Sequence, residues 1–500
     1  MATPPRATSR EWIGLGVLAL ACLVYAMDLT VLELAVPAIS RALRPTGAEL
    51  LWIVDIYGFF VAGLLITMGS LGDRIGRRRL LLLGAAGFMI ASVLASASTS
   101  APMLIATRAL LGVAGATVGP STLSLIRTMF SDPRQRTTAI GLWISSFSAG
   151  AVIGPLVGGV MLEFFWWGSV FLLAVPVMGL LLLLGPRLLP EYRDPESGSI
   201  DLISVGMSLV AVLAVIYGLK LIAEDGIAPV PALSIVVGVA LLGAFLDRQR
   251  RLARPFIDLR LFRSRDFSAS LAIYSLSFVA FGGVSFLMAQ YLQLSIGLSP
   301  FVAGVWTVPQ FGAFIVGSML TPLMVRRVRP EITIAGGLVL AAGGFALLTQ
   351  VQGATALPQL VLGSVVIALG LAPAFTLATD FVVGSAPAEH AGTAAAISET
   401  GSELGGALGI AVLGSLATAL YRSQLAGAIL PSLSPEASAS ARHTLGGASA
   451  IAAQLPADRA GDLLETARGA FALGFHVVAA IGAVIVALLA LVAARYIREQ

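Results

Sequence analysis

Long apolar stretches follow one another along the whole chain. A helix needs about 20 mostly apolar residues to cross a bilayer, and each stretch is about that long. Of the 500 residues, 57% are hydrophobic and only 12% are charged, whereas about a quarter of the residues of a water-soluble protein are charged. The pattern therefore predicts an all-α integral membrane protein. We place fourteen spans near residues 12–36, 50–71, 80–98, 102–126, 138–161, 167–189, 201–221, 230–247, 268–294, 301–324, 332–351, 358–383, 392–421 and 470–494.

Basic residues are distributed unevenly between the two ends of these spans. Of the 31 Lys and Arg residues, 23 fall in segments on the side of the N-terminus, seven fall on the opposite side, and Arg108 lies within a span. Cytoplasmic loops of membrane proteins carry an excess of Lys and Arg, so we expect both termini in the cytoplasm. Lys220 is assigned here to an outer segment. The first apolar run reaches Pro37 without a clear cleavage site, which favours an uncleaved span over a signal peptide.

Composition excludes several classes of protein and site. The only cysteine, Cys22, cannot form an intrachain disulfide. Lys220 is the only lysine and no Gly-Lys pair follows a glycine-rich loop, so a Walker A site for ATP is absent from this chain. The three histidines, His390, His443 and His476, are too scattered for a metal site. We expect no metal, and we read the net charge of +4 as topology rather than as a nucleic-acid surface.

Two segments interrupt the series of short loops. Residues 246–267 form an arginine-rich linker with Pro255, which we interpret as the joint between two halves. Residues 422–469 form a polar outer loop rich in Ala and Ser, and its part 457–469 has the pattern of an amphipathic helix.

The segment 69–79, GSLGDRIGRRR, is the strongest motif in the chain. Its glycines allow a tight turn between spans 2 and 3, and its aspartate can pair with the arginines on the cytoplasmic face. A loop that only fixed orientation would need the positive charge but neither the aspartate nor the glycine spacing. The motif residues are Gly69, Gly72, Asp73, Arg74, Gly76 and Arg77.

Together with other segments, this motif resembles the major facilitator superfamily. The segment 106–115 (ATRALLGVAG) is similar to its span-4 motif, and 150–159 (GAVIGPLVGG) to the span-5 motif of its antiporters. The segments 27–37 (MDLTVLELAVP), 51–57 (LWIVDIY) and 167–171 (WGSVF) resemble the fourteen-span drug:proton antiporters of the QacA/SmvA/LfrA type. The resemblance extends over essentially the whole chain.

The resemblance implies a fold and a function. We expect two six-helix bundles, residues 1–190 and 251–500, with an inserted helix pair at 191–250. We expect multidrug efflux and antibiotic resistance, by alternating access, of lipophilic and often cationic compounds in exchange for protons across the bacterial cytoplasmic membrane. Protons would be the coupling ion with no cofactor. The partners would be small substrates and membrane lipid, without nucleic acid, and one chain would be the functional unit. A faint repeat supports related halves, since Gly69-Ser70 and Gly317-Ser318 each precede a basic turn.

Charged residues inside spans are costly and therefore need a reason. At about 1.5 Å per helical residue in a core about 30 Å thick, Asp28, Arg108 and Asp55 lie at similar heights in the outer half. We expect Arg108 to pair with Asp28 or with a nearby backbone carbonyl. Asp55 is nearer the surface, so a solvated acid at a helix start is an alternative for it.

Glu399 and Glu403 are four residues apart and share one face of span 13 near mid-membrane. Two carboxylates so close together in a poorly solvated cavity cannot both ionise cheaply. Such a pair can exchange a proton for a cation, which makes it a candidate proton-coupling and substrate site together with Asp28, Asp55 and Arg108. The alternative is a pair whose hydrogen bonds are satisfied by serines and threonines of the bundle.

Small residues form one smooth face of span 5. They can be a contact between the halves that limits leakage, or ordinary close packing of helices, and the sequence leaves both open. These residues are Gly150, Gly154, Pro155, Gly158 and Gly159. Aromatic residues such as Tyr25 and Tyr57 can line a cation site, whereas Trp52, Trp166 and Trp167 are assigned to the interfacial belt.

Three other functions are alternatives to drug efflux. Similar fourteen-span proteins can export or flip a lipid or a secreted metabolite. A membrane enzyme would need a catalytic cluster, and the sequence shows no paired His/Asp site, metal motif or activated serine. A sensor without transport would be expected to carry a large signalling domain, and no such segment is present. We therefore expect a transporter and not an enzyme.

Overall fold

A computed structural model describes residues 6–193, 201–252, 257, 259–352, 356–384, 391–427 and 433–496. The described part is helical and contains no strand, as the sequence predicts. Within these ranges, fourteen helices are long and apolar enough to cross a membrane, and we number them as spans 1 to 14. They are Ser9–Leu43, Gly47–Ile75, Arg77–Ser96, Ala101–Met129, Arg134–Phe164, Ser169–Leu188, Leu202–Glu224, Pro229–Arg251, Arg265–Ser295, Pro300–Met324, Pro330–Leu348, Ala356–Val382, Ala394–Ala426 and Ala457–Arg495.

Side chains cap the N-termini of several of these helices. Thr46 and Glu49 form a capping box at span 2, in which the Thr46 hydroxyl accepts from the Glu49 N–H at 3.2 Å and the Glu49 carboxylate accepts from the Thr46 N–H at 2.9 Å. Such caps satisfy backbone N–H groups that have no partner in the helix. Span 4 is interrupted between Gly115 and Val118. Span 13 contains one π-helical turn, Gly409–Leu413.

The spans pack as two bundles with the same internal arrangement. In the first, span 1 packs against spans 5 and 6, span 2 against span 4, and span 3 against spans 4 and 6. In the second, spans 9 to 14 make the corresponding contacts, with span 9 in the place of span 1 and so on. The two bundles meet where span 5 contacts span 10 and where span 2 contacts span 13. The predicted boundaries at 190 and 250 stay predictions.

The two long connections differ from expectation. The helix of span 8 continues to Arg251, so the linker begins later than residue 246, and Pro255 lies outside the described residues. In the loop at 422–469, the helix of span 13 continues to Gly427 and two short helices follow at Pro435–His443 and Leu445–Ala452. Residues 457–469 are helical as predicted, but they form the first turns of the helix of span 14. We call the end of the molecule that carries this loop the loop face, and the opposite end the arginine face.

Spans 7 and 8 are fastened to each other at the arginine face. Asp201 caps span 7 through the Ser204 N–H at 3.1 Å. Its two carboxylate oxygens also accept hydrogen bonds from Arg248 of span 8, at 3.0 and 3.2 Å. Arg248 is the main reason that the pKa of Asp201 is lowered to about 2. The Asp201 carboxylate therefore caps the first turn of span 7 and also binds span 8.

We expect Asp201→Asn to lower the free energy of unfolding by about 1 kcal/mol, because asparagine keeps the cap but loses the ionic contact. Ionised Asp201 contributes this stability above its unfolded pKa of about 3.9, and the contribution is lost as the pH falls towards the folded pKa of about 2. Thermal unfolding in detergent should show a constant difference from the parent down to about pH 4 and a shrinking one below it.

Asp247→Asn is the matched control for this experiment. Asp247 also pairs with an arginine, Arg251 at 2.8 Å, but both side chains are more than half exposed, and such surface pairs contribute little. An equal loss of stability in both variants would contradict a specific role for Asp201.

Candidate functional site

A buried ion pair joins spans 1 and 4 in the first bundle. The Arg108 guanidinium lies 2.5 Å from the Asp28 carboxylate, and its Nε donates to the backbone oxygen of Ile53 in span 2 at 3.2 Å. Only 1% of the Arg108 side chain is exposed. Both expected partners are therefore present, which confirms the predicted pairing. Arg108 ties three spans together, because it uses different nitrogens for the carboxylate and the carbonyl.

A second buried ion pair was not predicted. Asp55 of span 2 lies 2.7 Å from Lys220 of span 7, and neither side chain is exposed. The assignment of Lys220 to an outer segment is wrong, and so is the alternative of a solvated Asp55. The Lys220 ammonium also lies 3.7 Å from the centre of the Trp52 ring, so Trp52 covers a buried cation. The only signal in the sequence was a lone lysine one turn from the end of an apolar stretch.

The carboxylates of span 13 lie between the two bundles. Glu403 accepts a hydrogen bond from the Tyr25 hydroxyl of span 1 at 2.9 Å. Glu399 lies beside Gly119 of span 4, where an added Cβ would be 3.0 Å from a carboxylate oxygen. Both carboxylates are partly exposed. Among the described side chains, none donates a hydrogen bond to the Glu399 carboxylate. The alternative, in which serines and threonines of the bundle satisfy the pair, therefore has no supporting hydrogen bond at Glu399 among the described residues, and the role of the pair stays a prediction.

Aromatic contacts connect the first ion pair to the carboxylates. The Arg108 guanidinium lies 4.6 Å from the centre of the Tyr57 ring. The Tyr57 and Tyr25 ring centres are 6.2 Å apart, and Tyr25 reaches Glu403. Asp28, Arg108 and Glu403 thus belong to one connected cluster, whereas Asp55 lies apart from it with Lys220.

Each bundle contributes an aromatic wall beside the carboxylates. In the first bundle, Tyr25 contacts Phe147 at 5.8 Å and Phe147 contacts Trp143 at 4.9 Å between ring centres. In the second, the rings of Phe278 and Phe375 stack at 4.2 Å, with Tyr274 at 5.2 Å from Phe278. The second wall was missed, because phenylalanines in apolar spans give no distinguishing pattern.

The small residues of span 5 serve two different contacts. Gly150, Gly154 and Gly158 face span 1 of the same bundle. At Gly158, for example, an added Cβ would lie 2.6 Å from Val31. Gly159 instead faces the other bundle, where an added Cβ would lie 2.7 Å from the Cα of Phe301 in span 10.

Pro155 belongs to this second contact, because its backbone oxygen packs directly against Gly304 of span 10. This face is therefore mostly a helix-packing surface within the first bundle. Only Pro155 and Gly159 form part of the contact between the halves, and that contact lies towards the loop face.

The motif at 69–79 folds onto its own bundle. Arg77 pairs with Asp73 at 2.6 Å and packs against Gly72. It also donates to the backbone oxygen of Pro120 in span 4 at 3.4 Å, beside Gly69. Asp73 therefore pairs with an arginine as predicted, although the contact stays within the first bundle.

The turn of this motif is held by Glu191, which follows the end of span 6 at Leu188. Gly76 has a φ of +110°, a conformation that favours glycine, and an added Cβ would overlap the Glu191 carboxylate. The same carboxylate accepts the Arg78 N–H at 3.1 Å, while Arg74 is exposed. The roles in conformational change of the motif and of the span-5 glycines stay predictions.

No group of three or more His, Cys, Asp or Glu residues that could hold a metal occurs in the described ranges. Two helix bundles with a connected charge cluster at their seam define a membrane transport protein.

The model of the Major Facilitator Superfamily matches residues 18–410, so the chain belongs to this superfamily. It is 43% identical to the multidrug efflux pump LfrA of Mycolicibacterium smegmatis, over 96% of this chain and 95% of that protein. It is 36% identical to the methyl viologen resistance protein SmvA of Salmonella typhimurium, over 92% and 93% of the two chains. The resemblance to SmvA- and LfrA-type exporters is confirmed.

Solved structures agree with the fold. A bacterial homologue of the human lysosomal transporter Spinster, inward-facing and occupied, has a TM-score of 0.68 at 16% identity, with 98% of each chain covered. A peptide transporter in complex with sulfate has a TM-score of 0.61 at 19% identity, with 90% of this chain and 95% of that chain covered.

We expect Arg108→Gln to destabilise the protein by about 3–5 kcal/mol, because the Asp28 carboxylate loses its buried counter-charge. The double variant Asp28→Asn/Arg108→Gln buries neither charge and should be more stable than Arg108→Gln alone. Thermal unfolding of the parent, the two single variants and the double variant in detergent measures the coupling. A double variant as unstable as the sum of both singles would contradict the ion pair.

Gly158→Val and Gly159→Val should distinguish the packing within the first bundle from the contact between the halves. Gly158→Val overpacks the first bundle and should lower its stability by about 1–3 kcal/mol. Gly159→Val should instead hold the halves apart at the loop face and speed hydrogen–deuterium exchange at the start of span 10. Identical effects of both variants on both measurements would contradict the assignment of these glycines to different contacts.

Proposed function

We propose that this chain exports lipophilic cations from the bacterial cytoplasm and admits protons in exchange. The observation that carries the proposal is the pair Glu399 and Glu403 at the seam between the bundles, with Tyr25 of the opposite bundle bound to Glu403. The names of the relatives, a multidrug efflux pump and a methyl viologen resistance protein, support efflux of small organic compounds. Methyl viologen is itself an organic dication.

Competition for the carboxylates would couple the two fluxes. An ionised carboxylate is costly in a poorly solvated site, and two within one helical turn are costlier still. The pair is therefore stable when it carries protons or a cationic substrate, and neither occupant leaves cheaply without the other arriving. Exchange then follows from the cost of the empty, doubly charged state.

The hydrogen bond across the seam would report which occupant is present. A hydrogen bond from Tyr25 to an ionised Glu403 is charge-assisted and stronger than one to a neutral acid. A proton on Glu403 thus weakens a contact between the two bundles. Protonation of Glu403 would therefore make it easier for the two bundles to separate.

The aromatic walls would bind the lipophilic part of the substrate. Aromatic faces attract desolvated cations, and flat ring systems stack on them. Tyr25, Phe147 and Trp143 on one side and Tyr274 and Phe278 on the other leave the carboxylates between two such surfaces. The Tyr25 hydroxyl and the Trp143 indole N–H already donate within the protein, to Glu403 and to Thr122, so these walls offer ring faces rather than directional polar groups, which suits a broad range of substrates.

The proposal includes orientation, assembly and coupling. The arginine face would lie in the cytoplasm of the bacterial cell, with both termini there, as the positive-inside rule predicts. One chain contains both bundles and the whole cluster, so we propose a functional monomer. Protons would be the coupling ion, with no cofactor.

Export of a secreted metabolite is the second candidate. It is favoured by 32% identity to the tetracenomycin C resistance and export protein of Streptomyces glaucescens, over 93% of this chain. The stacked pair Phe278 and Phe375 would suit a flat neutral compound as well as a cation.

We expect Glu399→Gln, Glu403→Gln and Asp28→Asn to abolish proton-driven transport while the protein still inserts into the membrane. Glutamine at 403 is the sharpest change, because it still accepts from Tyr25 but cannot exchange a proton. The measurement is uptake of ethidium into proteoliposomes under an imposed pH gradient, compared with uptake of a neutral aromatic dye.

Asp247→Asn and Glu436→Gln are matched controls, because each removes an exposed carboxylate and should leave transport unchanged. Full activity in all three site variants would overturn the proposal. Proton-driven transport of the neutral dye but not of ethidium would favour the second candidate instead.

A further inference from the structure

Span 7 of the inserted pair contacts both bundles. A cluster of buried apolar side chains contains Phe59 of span 2, Ile216 of span 7, and Ala407 and Ala411 of span 13. Ala411 lies in the π-helical turn of span 13, and such turns are often found at functional positions. The inserted pair is therefore more than a peripheral addition to the two bundles.

Two contacts fasten span 7 to span 2. Lys220 and Asp55 are both fully buried at 2.7 Å, so separating them would leave two unpaired charges in an apolar environment. The second contact lies roughly 12 Å further along span 2, where an added Cβ at Gly63 would be 2.9 Å from the Leu209 side chain. Because the two helices are held at both points, they move together.

The contact of span 7 with the other bundle is of a different kind. Glu224, in the last turn of span 7, lies 4.0 Å from Arg422 of span 13 and 3.4 Å from the His443 ring of the loop. These side chains are 11%, 26% and 26% exposed. At 4.0 Å the Arg422–Glu224 contact is longer than a hydrogen bond, and its side chains are less completely buried than Lys220 and Asp55, so this contact is the weaker of the two and can open during a transport cycle.

The Glu224 contact lies beside other contacts that close the loop face. The His443 backbone packs near Gly47 at the start of span 2, and Gly446 lies against Ser40 of span 1. Gln293 of span 9 donates to the backbone oxygen of Leu34 in span 1 at 2.9 Å. The loop between spans 13 and 14 thus covers the ends of spans 1 and 2.

We propose that span 7 is the latch of the loop face: Lys220 fastens it permanently to span 2 through Asp55, and Glu224 closes it onto Arg422 and His443. Lys220 and Glu224 are positioning residues, since they act through the elements they hold. This inference concerns the opening of the loop face and stands whether or not protons drive transport.

Glu224→Gln tests the releasable contact. We expect hydrogen–deuterium exchange at the loop-face ends of spans 1 and 9 to become about two- to fivefold faster, with thermal stability unchanged. Glu436→Gln removes a negative charge from the same loop, away from the latch, and should change neither measurement. The charge swap Glu224→Arg/Arg422→Glu should restore slow exchange.

Disulfides test which contact is permanent. An added Cβ at Gly63 would lie 3.9 Å from the Leu209 Cβ, and one at Gly47 would lie 3.8 Å from the Thr418 Cβ, both within the range of a disulfide. Oxidised Gly63→Cys/Leu209→Cys joins spans 7 and 2 and should leave exchange at the loop face unchanged. Oxidised Gly47→Cys/Thr418→Cys joins spans 2 and 13 and should slow it, reversibly on reduction.

The outcomes decide between a latch and a passive spacer. Unchanged exchange in Glu224→Gln, or an equal effect of Glu436→Gln, would overturn the latch. Slower exchange in oxidised Gly63→Cys/Leu209→Cys would show that span 7 must slide on span 2, and would overturn the permanent attachment. Both measurements use purified protein in detergent, so a failure of cation transport in proteoliposomes is a separate result.

Discussion

A charge inside an apolar bundle must find its partner within the protein, and this constraint organises the first half of the molecule. The Arg108–Asp28 and Lys220–Asp55 pairs lie on different sides of span 2, which offers the Ile53 carbonyl to one and the Asp55 carboxylate to the other. Span 2 is therefore held by spans 1 and 4 on one side and by span 7 on the other. Because it also packs against span 13, forces between the halves act on a helix that two ion pairs hold in place.

The same constraint explains what the sequence could predict. Asp28 and Arg108 are both deep within apolar stretches, so their heights alone bring them together, and the pairing follows. Lys220 lies near the end of its stretch, where a lysine can equally extend to the surface. A count along the helix gives height within about one turn, but not the direction of the side chain around the helix. The direction of the Lys220 side chain depends on its partner Asp55 in span 2, which is distant in the sequence.

The glycines of span 5 show a related limit. Their spacing predicts a smooth helix face, and the structure contains one, but adjacent residues on it meet different bundles. Gly158 packs on Val31 while Gly159 packs on Phe301, because a helix wedged between two neighbours presents consecutive residues to each. The fourteen spans could be predicted, since length and hydropathy are local properties. Which glycines pack within the bundle and which contact the other bundle could not be predicted, because this depends on which helices lie opposite. The second aromatic wall was hidden for the same reason.

Span 13 links the proposed exchange site with the proposed latch. Glu403 lies before the π-helical turn Gly409–Leu413, and Arg422 lies after it. An α-helix transmits a rotation along its axis with little loss, whereas a π-helical turn has an extra residue and a less regular hydrogen-bond pattern. A change at Glu403 can therefore reach Arg422 as a bend rather than as a rigid displacement. Span 7 packs against this turn through Ile216 and Ala411, so the element that would close the loop face lies where such a bend would form.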